Sequence, residues 1–487
     1  MKLAYKTSVL AVATALALTG CSFGPSGEPP AVPSPTHYGT QPQPSKTVVA
    51  DGVAQQFDIG STAVPQWWRR YRSDALDALV EEGLRNSPTL AATQRTLSAA
   101  QEELRGQIGS STLPSVDAAA QVERARSPVV PGIGPSEVRY NFFAGQLQTH
   151  YTFDLFGATR YANAAATARV NVQAYELEAA RRALAANVVG MAINVAALDR
   201  QIALTERLAA VASETANEDQ QRYALGSISH VQALNSTQDA DSIAASLPAL
   251  RQQRATAVHA LAVLMGRTPD NAPTVPDLDS MALPDHVPVV VPSDLLRSRP
   301  DIQAADAAVK AAAADVGAAT AQLFPSLSLT ASMGRGGFSW PAMLSGAGGL
   351  WAIGAGLSQP LFHGGALFAQ RRASIDTYDA AVLHYKSTVL SAFRDVADSL
   401  AALDNDAQTL VSTERAAQTA HTAFDETASR ARLGALPSTE QHASEQRFLN
   451  AQLGAVRAGS QRMSDTAALF QAMGELPDDQ PHVTSRE

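Results

Sequence analysis

Apolar residues recur along this chain with two different periods. Near residue 150 the period is two: Leu147, Thr149, Tyr151, Phe153 and Leu155 fall on one face, and Gln146, Gln148, His150, Thr152 and Asp154 on the other. The same alternation sets Leu327, Leu329, Ala331 and Met333 against Ser326, Ser328, Thr330 and Ser332, and Trp351, Ile353, Ala355 and Leu357 against Gly and Ser. Such alternation predicts strands with one apolar and one wet face. The joining segments 127–137 and 338–348 are rich in Pro, Gly and Ser and predict exposed hairpin loops. Elsewhere the period is 3.5. Leu184, Val188, Met191, Val195, Leu198 and Ile202 step by four and three, as do Val389, Phe393, Val396, Leu400, Leu403, Ala407 and Leu410, the mark of left-handed supercoiling. Long helices are therefore expected from about 157 to 222 and from about 364 to 430. At 1.5 Å per residue each would reach on the order of 100 Å. Each meets a short turn, Leu225-Gly226-Ser227 or Leu433-Gly434-Ala435, and returns toward Met265 or Met473, with Pro248 expected to kink the first returning helix. Ahead of the strands, single helices are predicted near 74–111 and 293–323, each ended by the Pro of a Pro-Ser pair. The charge-poor run Ala183–Leu198 is too short to span a bilayer and carries Asn187 and Asn194, so it reads as a bundle interface.

These elements occur twice, in one order. Leu84-Arg85 recurs as Leu296-Arg297, Pro114-Ser115 as Pro325-Ser326, Leu155-Phe156 as Leu361-Phe362, Leu225-Gly226 as Leu433-Gly434 and Met265-Gly266 as Met473-Gly474. The offsets are 212, 211, 206, 208 and 208, so two copies of one unit differ by small insertions and deletions. The predicted organisation is a signal peptide (1–20), a Pro-rich linker (21–64), a first repeat (65–272), an inter-repeat linker (273–292), a second repeat (293–476) and a tail (477–487). Neither copy is expected to fold alone. The strand pattern suits a sheet over a soluble core or a transmembrane barrel with lipid outside and water inside. Two hairpins supply four strands, fewer than the smallest single-chain barrels use, so a barrel would need several chains.

Composition narrows the function. Charged residues are 17% and aromatics 6%, which favours closely packed helices over an aromatic-rich core. The formal charge is −9, becoming −11 once the first twenty residues, with Lys2 and Lys6, are removed, so nucleic acid is not an expected partner. Lys2 and Lys6 precede an apolar run from Val9 to Leu18 that closes on Leu18-Thr19-Gly20-Cys21. That is a secretory signal, and it resembles the lipobox of bacterial lipoproteins, in which the cysteine is diacylated and becomes the new amino terminus. Cys21 is the only cysteine of the chain, which excludes an intrachain disulfide. Catalytic patterns are missing. Gly337-Phe338-Ser339-Trp340-Pro341 lacks the second Gly of a nucleophile elbow, and Gly334-Arg335-Gly336-Gly337 is not followed by Lys-Ser/Thr. The ten histidines have no metal-binding spacing on any predicted helix. No enzyme activity, cofactor or metal is expected.

Four ordered stretches, together with the lipobox, carry a family resemblance. They are Trp67-Trp68 with Asp74-Ala75-Leu76; Val291-Pro292-Ser293-Asp294-Leu295-Leu296 running into Arg299-Pro300-Asp301-Ile302; Leu247-Pro248-Ala249-Leu250 leading to Met265-Gly266; and Gln359-Pro360-Leu361-Phe362 with Gly364-Gly365. The chain resembles the TolC-like outer membrane factors, in their lipoprotein branch of OprM/NodT type. The resemblance implies an α+β membrane protein: a homotrimer whose twelve-stranded outer-membrane β-barrel, four strands per chain, continues into a long periplasmic α-helical coiled-coil barrel. It implies a passive exit duct for an efflux pump, with a periplasmic adaptor and an inner-membrane transporter of the resistance-nodulation-division type as partners, lipid anchorage at Cys21, and outer-membrane lipids around the barrel. It places adaptor contact at the hairpin tips, matching Tyr223, Leu225, Gly226, Ser229, Arg432, Leu433 and Gly434. Family channels often carry Asp beyond the second tip Gly; here the stretch is Pro437-Ser438-Thr439-Glu440-Gln441-His442-Ala443, leaving Glu440 as candidate gate carboxylate. The lumen-facing strand residues are expected to be Gln146, Gln148, His150 and Asp154. A duct for type I protein secretion and a periplasmic scaffolding lipoprotein are the alternatives.

Overall fold

The computed structural model describes residues 23–32, 35–39, 44–61, 64–128 and 137–474. Cys21, the signal segment, most of the loop 127–137 and the tail 477–487 lie outside the described residues. In chain order the elements are β1 (Gln56–Ile59), α1 (Asp74–Asn86), α2 (Pro88–Thr112), β2 (Ser115–Pro128), β3 (Glu137–Phe153), α3 (Ala158–Ala224), α4 (His230–Leu264), β4 (His286–Val289), α5 (Pro292–Ser298), α6 (Pro300–Ala321), β5 (Ser326–Gly337), α7 (Trp340–Leu344), β6 (Gly349–Ser358), α8 (Ala366–Arg432) and α9 (Ser438–Met473). They form two compact units, one of Met1–Ala31, Thr96–Ala174 and Ala304–Lys386, the other of Val32–Arg95, Tyr175–Gln303 and Ser387–Glu487. Each unit draws on both copies of the repeat.

The first unit holds a four-stranded antiparallel sheet in the order β2-β3-β5-β6. Each hairpin comes from one copy, and β3 pairs with β5 to join them. The strand pattern stops one step short of the expected range, because β3 ends at Phe153 and leaves Asp154 and Leu155 beyond it. The second loop is not wholly irregular either: α7 forms within it, its first turn capped where Ser339 accepts the N–H of Ala342 at 3.3 Å. The α7 carbonyl of Leu344 accepts from Arg335 at 2.7 Å, which holds the helix on the sheet. The amino-terminal segment departs from a free linker. Phe23 packs on Phe324 at 4.6 Å between centroids, and its N–H donates to the Tyr161 hydroxyl at 2.9 Å.

The second unit is built on the 3.5-residue seams. Val389, Phe393, Val396, Leu400, Leu403, Ala407 and Leu410 of α8 are all buried. On α3, Val195 and Leu198 pack against Ala257 of α4, with Met191 and Leu250 beside them, so the charge-poor run is an interface between helices. Both leading helices are broken where single helices were expected. Ser87 and Arg299 take extended backbone (ψ 119° and 120°), since a following proline clashes with a helical predecessor. The returning helices dock on these breaks. Gly266 and Gly474 sit at φ +70° and +75°, and a Cβ there would lie 2.4 Å from the carbonyl oxygen of Asn86 or Ser298, so only glycine fits either place.

The part of the linker in this unit is also pinned. β1 pairs in parallel with β4, and the Tyr38 hydroxyl donates to the Val290 carbonyl at 2.6 Å. Arg462 of α9 is fully buried and holds the strap 47–55 from below. It donates to Gln55 Oε1 (3.0 Å), Thr47 Oγ1 (3.1 Å), and the Ala50 and Val53 carbonyls (both 3.3 Å). The strap contains none of the linker's prolines; it turns back at Asp51-Gly52, where Ala50 and Val53 pair, and the buried Arg462 of α9 pins it.

Candidate functional site

Directly paired residues in an antiparallel sheet share a face, so the register sorts every strand side chain. One face reads Val116–Thr149–Ala331–Ile353 across all four strands, then Ala118–Leu147–Met333–Trp351. The other reads Ser115–His150–Thr330–Gly354 and Asp117–Gln148–Ser332–Ala352. Gln146, Gln148 and His150 thus lie on the polar face, with His150 Nε2 3.1 Å from Thr152 Oγ1. Asp154 does not join them. It accepts the backbone N–H groups of Thr159 (3.1 Å) and Arg160 (3.0 Å), satisfying free donors at the start of α3. A short acid a few residues ahead of a long helix was the signal for that role.

The apolar face is uncovered. Val116, Leu147, Met333, Trp351, Ile353 and Leu357 are between 50% and 78% exposed. Aromatic pairs mark both ends of the strands: Phe143 with Trp340 (4.8 Å) and Tyr140 with Phe338 (5.9 Å) at one end, Tyr151 with Phe153 (5.0 Å) and Phe156 with Phe324 (5.0 Å) at the other. From Phe143 to Phe153 a strand climbs roughly 34 Å, and a tilt near 40° reduces this to about 26 Å, close to the apolar band of a membrane barrel.

The hairpin tips repeat one another. Gly226 and Gly434 lie at φ +71° and +73°. Each ends its helix with the same pair of bonds: Ser227 N–H to Arg222 C=O (2.9 Å) with Gly226 N–H to Tyr223 C=O (2.8 Å), and Ala435 N–H to Arg430 C=O (2.9 Å) with Gly434 N–H to Ala431 C=O (2.9 Å). This turn pushes Leu225 and Leu433 outward, each 84% exposed. Ser229 caps α4 by accepting from Gln232 N–H at 3.2 Å, and Tyr223 stacks on His230 with centroids 4.7 Å apart. Arg432 is exposed and donates to Ser429 Oγ at 3.2 Å. Glu440 is exposed in the first turn of α9, where the free N–H groups favour a carboxylate.

Behind the tips lies a polar network that sequence reasoning did not find. Glu218 of α3 accepts from Ser438 Oγ (2.7 Å) and lies 3.9 Å from His442 Nε2, both on α9. Thr215 is 3.4 Å from His442 Nδ1, and Arg207 pairs with Glu445 at 2.7 Å. Asp219 accepts from Ser236 of α4 and pairs with Arg222. The contacts of Glu218, Thr215 and Arg207 tie the outgoing helix of copy one to the returning helix of copy two, and Asp219 ties it to the returning helix of its own copy.

A two-faced strand sheet and buried heptad seams on paired helices define a membrane-strand protein with coiled-coil hairpins. The chain belongs to the outer membrane efflux protein family, whose description matches residues 79–267 and again 291–475, once per copy. It is 30% identical over 477 residues to the outer membrane protein OprJ of Pseudomonas aeruginosa, covering 96% of this chain and 95% of the relative. It is 31% identical over 407 residues to the probable efflux pump outer membrane protein TtgC of Pseudomonas putida, covering 81% and 80%. Among solved structures, the outer membrane protein VceC of Vibrio cholerae matches with a TM-score of 0.74 and 27% identity, over 85% of this chain and 100% of that one.

Proposed function

We propose that the chain is the outer-membrane channel of a tripartite efflux pump, passively conducting drugs or other small toxic compounds to the exterior. The observation that carries this reading is the sheet, apolar and uncovered on one face, polar on the other, and open at both edges. In water such a face would be a liability; with lipid on one side and water on the other, both faces are satisfied. Three copies would supply twelve strands, within the range of closed barrels. The partners are a periplasmic adaptor and a resistance-nodulation-division transporter. The exposed Leu225 and Leu433, with Tyr223, Gly226, Ser229, Arg432 and Gly434 around them, are the adaptor contact. Glu440 contributes the gate carboxylate, and Gln146, Gln148 and His150 line the lumen.

Deleting the gene is expected to raise sensitivity to small toxic compounds, with recovery on complementation. Unchanged sensitivity with loss of a secreted polypeptide would replace efflux by protein secretion. Cys21 is the lipid attachment site in this reading. Cys21→Ser is expected to abolish incorporation of labelled palmitate, and labelling that persists would remove the anchor from the scheme.

A further inference from the structure

The four-stranded sheet separates charge as well as polarity. Arg124 and Arg126 of β2 continue the face of Val116, Ala118, Ala120 and Val122, and Arg139 of β3 pairs directly with Arg126. Arg335 of β5 stands opposite Gly145 on that same face. Among the described strand side chains, the acids Asp117 and Glu123 lie on the polar face, which holds no arginine or lysine. Arg335 is engaged by α7, donating to the carbonyls of Leu344 (2.7 Å) and Ser345 (3.4 Å). Arg124, Arg126 and Arg139 are exposed at the end of the first hairpin. These three and Glu137, which pairs with Pro128 at the last rung, sum to a charge of +2. Like charges directly opposite one another, with Cα atoms about 5 Å apart, repel. Arg126 and Arg139 are such a pair, and an anion beside them turns the repulsion into attraction. Both also interact within the chain, but the five donors of a guanidinium leave room for a further acceptor.

We propose that Arg124, Arg126 and Arg139 bind the phosphate groups of a phosphorylated glycolipid in the outer leaflet of the membrane. Arg124 and Arg126 lie at the end of β2 farthest from α2, and Arg139 at the end of β3 farthest from α3. With the helices in the periplasm, that end faces the exterior. Val122 pairs with Phe143, whose ring packs on Trp340 at the upper edge of the apolar band. Arg124 is two residues beyond this row, and Arg126 and Arg139 are four beyond it. At roughly 3.4 Å per residue and a tilt near 40° they stand about 5 and 10 Å above it. Head groups fill about 5–8 Å outside the hydrocarbon, and an arginine stem is long enough to bend back into that layer. A guanidinium fork matches two phosphate oxygens at once and is more weakly hydrated than an ammonium. Three arginines exceed what the single charge of a phosphodiester needs and suit a phosphate monoester, which carries about −1.5 to −2. The inference goes beyond conduction, and it rests on the channel reading only for the placement of the sheet in the outer membrane.

The test measures lipid binding to the full-length protein in detergent by native mass spectrometry. The parent is expected to bind lipid A with both phosphates at least about tenfold more tightly than enzymatically dephosphorylated lipid A, and more tightly than the phosphodiester phosphatidylglycerol. Arg124→Gln, Arg126→Gln and Arg139→Gln combined are expected to abolish that preference, and the three changes to Lys to keep part of it. Equal binding of the two forms of lipid A by the parent, or an undiminished preference in the Gln variant, would overturn the site. Displacement of lipid A by an excess of inorganic phosphate would reassign it to the free ion and overturn the lipid. If the combined variant does not assemble, Arg124→Gln alone reads the same preference and is expected to lower it. Conduction by the parent in planar bilayers separates the two levels. A conducting parent without the phosphate preference sinks the site alone, whereas a parent that does not insert sinks the channel reading beneath it.

Discussion

Arg462→Met is expected to destabilise the second unit by about 3–5 kcal/mol, because it removes one partner from a buried charged network and leaves the others in place. The guanidinium is fully buried and donates to two side chains and two carbonyls of the strap 47–55. Methionine fills the volume but leaves those acceptors unpaired, next to an apolar contact of Ala50 with Leu410 and Ala458 that cannot compensate. Asp406 gives the effect a pH signature. Burial pushes its carboxyl up to about 7, a hydrogen bond to Asp465 and that neighbour's charge push the same way, and Arg462 opposes them. An acid whose folded pKa is raised binds more protons folded than unfolded, so its contribution is present at low pH and lost as pH rises through about 7. Without Arg462 the ionised form has no cation, and the loss is expected to be larger at pH 8 than at pH 6. Thermal unfolding at the two pH values, with protease cleavage within 47–55 as a second readout, measures both effects. A variant that unfolds like the parent at pH 8 would show that the strap does not depend on this side chain.

Ile353→Arg is the second large effect, at about 2–4 kcal/mol if the residue lies near the bilayer midplane. Ile353 is midway along β6, 70% exposed, and opposite Ala331 on the apolar face. Thr330→Arg, on the polar face of the neighbouring strand, is the matched control and is expected to assemble normally. The measurement is the urea midpoint of assembled barrels in lipid vesicles. Equal losses in the two variants would mean that both faces meet the same surroundings.

Much of this architecture was legible because it is periodic. The heptad seam from Val389 to Leu410 is buried at every position read from the sequence, and the strand faces follow the alternation residue by residue. Sequence reasoning failed where a contact is long-range or a local rule outranks periodicity. Pro88 and Pro300 break helices whose apolar pattern continues through them, which the restriction on the preceding residue accounts for. Asp154 continues the polar alternation but is claimed by the N–H groups of α3. The Ser438–Glu218 bond spans 220 residues, and Arg462 reaches Gln55 across 407; neither leaves a local trace in composition or spacing.

The seating of Phe23 bears on how such a chain reaches its membrane. Only Ser22 stands between it and Cys21, a reach of about 7 Å at full extension. Lipid attached there would act as a mooring rather than a leash: the foot of the sheet would be held at the bilayer surface before any strand crosses it. The search for the insertion site then loses a dimension, and molecules bound for the same sheet meet on a surface instead of in a volume.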